Sequence, residues 1–227
     1  WEARLMETYA AMIYRMDQGV GEIVESLRRN ERLENTLILY LQDNGACAEG
    51  IGRKERSNWE IPNPKPIAAE QLQTRWNPPM QTRDGRVVQG GPGVLAGADD
   101  TYIAYGPNWA NVSNTPFREY KHWVHEGGIS TPLIAHWPKG IDPKLNRSIN
   151  RSPGHLIDIM ATVMDIASAP YPSHFNGNSI HPMEGLSLRP AFQGQAMLER
   201  PIFFEHESNR AIRLGKWKLV AKENQAW

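Results

Sequence analysis

The stretch LILYLQDNGACAEG, residues 37–50, limits the fold more than any other. Large apolar side chains run almost unbroken over residues 36–41, and the run gives way to Asp43, Asn44 and Gly45. An apolar run without polar alternation reads as a strand buried on both faces, of the kind found in parallel α/β sheets. Its ending can be read in two ways. Asp-Asn-Gly is turn chemistry, because short polar side chains bond their own backbone and Gly reaches positive φ. A carboxylate and a carboxamide oxygen side by side at a strand's C-terminal end are also hard ligands for Ca²⁺ or Mg²⁺. In open α/β sheets, that edge is where ligands bind.

Upstream, Leu5, Tyr9, Met12, Ile13, Met16, Val20, Ile23, Val24 and Leu27 recur at three- and four-residue spacing, which predicts an amphipathic helix over residues 4–29, packed on one face. A helix followed by a buried strand is half of a parallel βαβ unit. Residues 51–108 change character, with Pro62, Pro64, Pro66, Pro78, Pro79, Pro92 and glycines around positions 90–93. They predict a loop-rich excursion with one hairpin about Asp84 and Gly85, and loops of that length are uncommon unless functional. TPLIAHWP, residues 131–138, reads as a second short buried strand, and Ser152 with Pro153 as the N-cap and first turn of the helix GHLIDIMATVMDIASA. After a loop over residues 170–185, PIFFEHE, RAIRL and KWKLVA predict antiparallel strands. The expected class is α/β: a partial parallel sheet flanked by helices, with a small C-terminal antiparallel sheet, divided at residues 1–169 and 170–227.

Composition narrows the function. With 227 residues, 40% of them hydrophobic, the chain can bury a sizeable core. Lys plus Arg equals Asp plus Glu at 25 each, without long runs of either sign, so no electrostatic footprint for nucleic acid or anionic lipid is expected. The apolar runs are too short to span a bilayer. Cys47, the single cysteine, has no intramolecular disulfide partner, which leaves the redox compartment open. The chain starts without Met inside an apparent helix and ends on KENQAW directly after a strand, as expected of part of a longer polypeptide.

A second constellation lies in FREYKHWVHEGGISTPLIAHWP, residues 117–138, where Lys121, His122, His125 and Glu126 precede Gly127 and Gly128. A double glycine before a strand lets the backbone turn sharply or approach a ligand, and a nearby Lys offers a mobile point charge for an oxyanion. The alternative is a charged loop with a glycine turn. His125 is close enough to Lys121 to reach the same pocket, unless it simply bonds backbone. His155 and Asp158, three apart near a helix start, resemble a ligand pair but suit helix capping better. Trp76, Trp109 and Trp123 could line an aromatic-ester pocket or serve packing. His206 and Arg210 fall on the terminal sheet, at a cleft wall or a solvated edge.

Taken in order, YAAMIYRMDQGVGEIVESL, NTLILYLQDNGA, SNTPFREYKHWVHEGGISTPLIAHWPKGI, HLIDIMATVMDIASA and AIRLGKWKLVA closely resemble the C-terminal half of the type I sulfatases, specifically the arylsulfatase branch. The resemblance implies an alkaline-phosphatase-like fold and hydrolysis of sulfate esters, of small molecules or carbohydrates, using a formylglycine made from Cys or Ser and one divalent cation, usually Ca²⁺. It implies metal ligation by Asp43 and Asn44. It also implies sulfate binding by Lys121, which stands five residues before Glu126 as the family's sulfate-contacting Lys does before its Glu-Gly-Gly. A periplasmic or secreted location is implied as well; the oligomeric state is left open. The family's Cys/Ser-x-Pro-x-Arg nucleophile motif is absent, as are its N-terminal Asp pair and the His upstream of the Asp-Asn pair. Asn114-Thr-Pro-Phe-Arg118 has Pro and Arg at the right offsets, but Asn cannot become formylglycine, and Cys47 lacks the Pro. The formylglycine is therefore expected in an N-terminal part outside this chain. The rival readings are a phosphomonoester or phosphonate monoester hydrolase of the same superfamily, and a non-catalytic scaffold.

Overall fold

The computed structural model describes residues 1–54, 63–74, 79–223 and 225. Pro62, Trp76 and Pro78 lie outside the described residues. In chain order the elements are α1 (Glu2–Arg29), β1 (Ile38–Leu41), α2 (Gly106–Ser113), α3 (Glu126–Ile129), β2 (Leu133–His136), α4 (Ile157–Ala167), β3 (His174–Phe175), β4 (Asn178–Ser179), α5 (Arg189–Phe192), β5 (Ile202–His206), β6 (Asn209–Leu214) and β7 (Trp217–Ala221). Among the described residues no helix is long and apolar enough to cross a membrane. The chain divides into two compact units: Trp1–Ile23 with Asn44–Thr131, and Val24–Asp43 with Pro132–Trp227.

In the first unit the start of α1 anchors the long excursion. Glu2 in its first turn and Arg28 and Arg29 in its last complement the helix dipole. The Trp1 indole donates to Val94 O at 2.9 Å, Thr8 Oγ1 to Ala96 O at 3.2 Å and the Trp109 indole to Glu2 O at 3.0 Å. Tyr9 stacks on Tyr105 with ring centroids 4.8 Å apart. Arg53 lies over the Trp1 ring, pairs with Glu2, and donates to Tyr105 O at 3.0 Å. The neck of the excursion closes where Gly91 N donates to Gly52 O at 2.7 Å and Ala104 N to Ile51 O at 2.8 Å. The expected hairpin forms: Thr82 N donates to Arg86 O at 2.9 Å, and Gly85 at φ 85° supplies the turn.

Among the described residues the second unit holds three sheets, β1–β2, β3–β4 and β5–β6–β7, whose pairing differs in part from the sequence reading. β1 and β2 pair antiparallel, Ile38 opposite His136 and Leu41 opposite Leu133, where a parallel pairing was expected. Since Leu41 faces Leu133, the chain re-enters the sheet at the end where it left. Parallel pairing would need a crossover to the opposite end. Nor are these strands buried: β1 is half-buried throughout, and Ile134 of β2 is 61% exposed. Apolar composition gave the run its strand character, but a two-stranded sheet cannot cover both of its own faces. The same holds for α1, where Leu5 is the one buried residue described while Met12, Ile13, Met16 and Ile23 are exposed. The C-terminal antiparallel sheet forms as expected, a β5–β6–β7 meander with Phe203 opposite Ile212 and Ile212 opposite Leu219.

α4 begins at Ile157, four residues beyond the Ser152-Pro153 signal, because a different side chain secures its start. Asp158, 1% exposed, accepts the His155 N–H and the Leu186 N–H, each at 2.8 Å, and pairs with the guanidinium of Arg200. Thr162, fully buried one turn on, donates to Asp158 O at 2.6 Å and accepts from Leu188 N at 2.8 Å. Gly185 must be glycine, since a Cβ there would lie 2.1 Å from Ile157 O. Asn209, also buried, accepts from Glu223 N at 2.9 Å and so fastens the chain beyond β7 to the start of β6.

Asp158→Ala leaves the Arg200 charge and two backbone donors without their carboxylate, and breaking a buried pair from one side costs about 3–5 kcal/mol. We expect chemical denaturation to report a loss of that size, with Asp158→Asn intermediate. His155 adds a pH dependence. Its ring Nδ1 accepts from Ile157 N at 3.3 Å, the ring lies against Phe204, and burial holds its pKa below the ordinary 6.5. The unfolded chain therefore takes the proton first as pH falls. Stability should decline from about pH 6.5 downward to the lower folded-state pKa, and His155→Gln should flatten the melting temperature between about pH 7 and 5.

Candidate functional site

β1 ends at Leu41, and the chain bends through Asp43, Asn44 and Gly45. Asp43 is exposed and Asn44 half-buried. Among the described residues neither side chain bonds its own backbone or takes part in an ion pair. A carboxylate and a carboxamide oxygen are a fitting donor pair for Ca²⁺ or Mg²⁺, though Ca²⁺ takes about 6–8 oxygens. Two residues supply only part of such a shell.

Immediately after Asn44 the backbone is sewn to the loop that carries Lys121. Gly45 N donates to Gly128 O at 2.8 Å, Lys121 N to Ala46 O at 3.0 Å, and Ala46 N to the Asn114 carboxamide oxygen at 3.1 Å. The Asn114 amide nitrogen donates to Glu119 O at 3.0 Å, so this one side chain bridges both segments. Packing here is backbone on backbone. A Cβ on Gly45 would lie 1.8 Å from Gly127 O, one on Gly127 2.1 Å from Glu119 O, and one on Gly128 1.8 Å from Trp123 O. The double glycine therefore serves close approach of the chain to itself. The alternative anticipated for it, approach to a ligand, is not what fills the space beside these Cα atoms.

Lys121 sits in a constrained loop. Glu119 and His122 adopt φ 66° and 92°, conformations that cost about 1–3 kcal/mol each for residues with a side chain. The Lys121 ammonium pairs with Glu49 at 3.2 Å, and both side chains are about half exposed. The His122 ring meets Trp123 edge-on, centroids 4.6 Å apart. His125 precedes α3, and its carbonyl accepts from Gly128 N at 2.9 Å. Asn114, set aside in the sequence as a chance match, acts as a structural tie, and its Asn-x-Pro context gave no hint of that. Glu49 carried no signal at all, since nothing in ACAEGIG places it beside a lysine seventy-odd residues on.

Of the remaining candidates, His155, Asp158 and Trp109 have structural tasks. His155 and Asp158 form the α4 start described above. Trp109 bonds Glu2 O and packs the first unit. His206 and Arg210 lie exposed on β5 and β6, and Cys47 is a half-buried free thiol.

Comparison with known proteins gives this arrangement its context. The family profile described as Sulfatase matches residues 1–169. An uncharacterized sulfatase of Schizosaccharomyces pombe is 30% identical over 224 residues, covering 97% of this chain and 36% of that protein. An arylsulfatase of Klebsiella aerogenes is 30% identical over 190 residues, covering 83% of this chain and 35% of that one. A solved structure from work on glycosaminoglycan metabolism by Bacteroides thetaiotaomicron superposes with TM-score 0.52 at 18% identity, over 93% of this chain and 32% of that one. At that identity the likeness shows the fold, the alkaline-phosphatase-like fold of the sulfatases. The chain spans about a third of the length of the curated relatives it matches. On the family match over most of its length, the chain belongs to the sulfatase family.

Proposed function

We propose that this chain serves a sulfuric ester hydrolase of the arylsulfatase type. Asp43 and Asn44 donate oxygens to a divalent cation, Ca²⁺ or Mg²⁺, and Lys121 binds the sulfate of a small-molecule or carbohydrate ester. The observation that carries this reading is the seam between the two segments. Through Gly45–Gly128 and Lys121–Ala46 the loop bearing the cation-like side chain is fixed to the backbone that follows the oxygen donors. When bound, a divalent cation polarises a sulfuryl oxygen. Lys121 neutralises another oxygen of the transferring group and orients it, which is charge stabilisation by a pre-placed group. His125, four residues on, is a second candidate for substrate contact. The nucleophile belongs to a part of the polypeptide other than residues 1–227, because no Cys or Ser here stands in a Cys/Ser-x-Pro-x-Arg context.

In the natural gene product that contains this chain, Lys121→Ala should lower kcat/KM for an aryl sulfate about 10²–10³-fold, the usual loss when one such electrostatic contact is deleted. Melting temperature should stay constant, since the side chain is 43% exposed. Lys121→Arg should restore little, a planar fork differing from a compact ammonium in reach and donor geometry. Turnover close to wild type in Lys121→Ala would make this a structural loop charge and leave the scaffold reading. For the metal, Asp43→Ala should raise the Ca²⁺ dissociation constant measured by calorimetry at least about tenfold. Tight stoichiometric binding that survives the substitution would move the metal site elsewhere.

A further inference from the structure

The Ala46–Glu49 stretch holds Lys121 twice, by its backbone N–H at Ala46 O and by its ammonium at the Glu49 carboxylate. On the reading above, the second contact has a cost for the substrate. An anion that binds the Lys121 ammonium comes within a few Å of a resident negative charge, and each unit of charge on the anion meets that repulsion. A sulfate monoester carries one negative charge at neutral pH. A phosphate monoester carries about 1.5–2, with a second pKa near 6. Lys121 paired with Glu49 is a locally neutral unit, which suits the monoanion and penalises the dianion.

We propose that Glu49 is a specificity-determining residue that tunes the anion site toward sulfate esters and against phosphate esters of the same shape. It rests on the assignment of Lys121 to the sulfate. It does not touch the reacting atoms. It acts through Lys121, by setting the charge that the ester's anionic group meets. Because the pair is half exposed, its influence is moderate rather than absolute.

The test uses the natural gene product that contains this chain, with 4-nitrophenyl sulfate as substrate and 4-nitrophenyl phosphate as competitive inhibitor. In Glu49→Gln the ratio of the phosphate inhibition constant to the sulfate KM should fall about fivefold at pH 7.5, the size expected of one unit charge in a half-wet site. Glu49→Asp keeps the charge and should keep the wild-type ratio. Lowering the pH toward 5.5 shifts the phosphate ester part of the way to its monoanion, so the wild-type ratio should fall with pH and the Glu49→Gln ratio should fall less. Melting temperatures control for folding, and Glu49→Ala provides a second neutral variant. An unchanged ratio in both neutral variants, with Lys121→Ala crippled, overturns the role of Glu49 and leaves that of Lys121 standing. A ratio in Glu49→Asp that moves as far as in Glu49→Gln overturns it too, because the effect is then one of shape. If Lys121→Ala turns over aryl sulfate normally, both this inference and the function it rests on fall together.

Discussion

The contact on which the rest depends is backbone against backbone: Gly45 on one side, Gly127 and Gly128 on the other, with carbonyl oxygens where any Cβ would stand. A hydrogen bond alone would allow the two segments to breathe. Removing the side chains lets them meet at a distance that nothing larger can reach, and the hydrogen bonds then fix the register. The position of Lys121 follows, because its own N–H is one of those bonds. The strained φ values of Glu119 and His122 belong to the same arrangement, since such conformations persist only where surrounding contacts over-determine them.

Much of this was legible in the sequence, and the failures have particular causes. Three- and four-residue spacing located α1, apolar runs located β1 and β2, and alternation with turn residues located the β5–β6–β7 meander. All of these are local signals. Strand direction between β1 and β2 is a property of where the intervening chain returns, and no pattern within either strand encodes it. Burial failed for a related reason, because unbroken apolar sequence says what a strand prefers and not what stands over it in this chain. The start of α4 was misplaced because Ser152-Pro153 is a good local signal overruled by Asp158, whose partners Leu186 and Arg200 lie far along the chain. Within the candidate site, Lys121 was singled out by its fixed distance from Glu126, whereas Asn114 and Glu49 make contacts that span the sequence and left no mark in it.

The charged groups of the chain fall into two kinds. Arg86 with Asp84 and Asp99 forms a surface cluster in which hydrogen bonds, from the Thr82 hydroxyl and then the Arg86 guanidinium to Asp84 and from the Arg86 guanidinium to Asp99, hold both carboxyls below their usual range. Such exposed pairs are screened and contribute little to stability. Asp158 with Arg200 is buried, and its carboxylate also serves two backbone donors, so it organises the junction between α4 and the strand-bearing segment after it. Lys121 and Glu49 stand between these extremes. Half-exposed charges keep their mobility while still feeling each other, which is the condition under which an incoming anion can compete for one of them.

The antiparallel pairing of β1 with β2 also sets a clock on synthesis. Roughly ninety residues separate the two strands, and a ribosome extends a chain at about 5–20 residues/s. For about 5–20 s, then, Ile38, Leu39, Tyr40 and Leu41 have left the ribosome without the strand that will pair with them. An apolar strand with an open hydrogen-bonding edge is a template for pairing with a neighbouring nascent chain. How much of this protein a cell recovers in folded form therefore depends on what shields that edge during those seconds, a burden set by gene order along the polypeptide rather than by the stability of the finished fold.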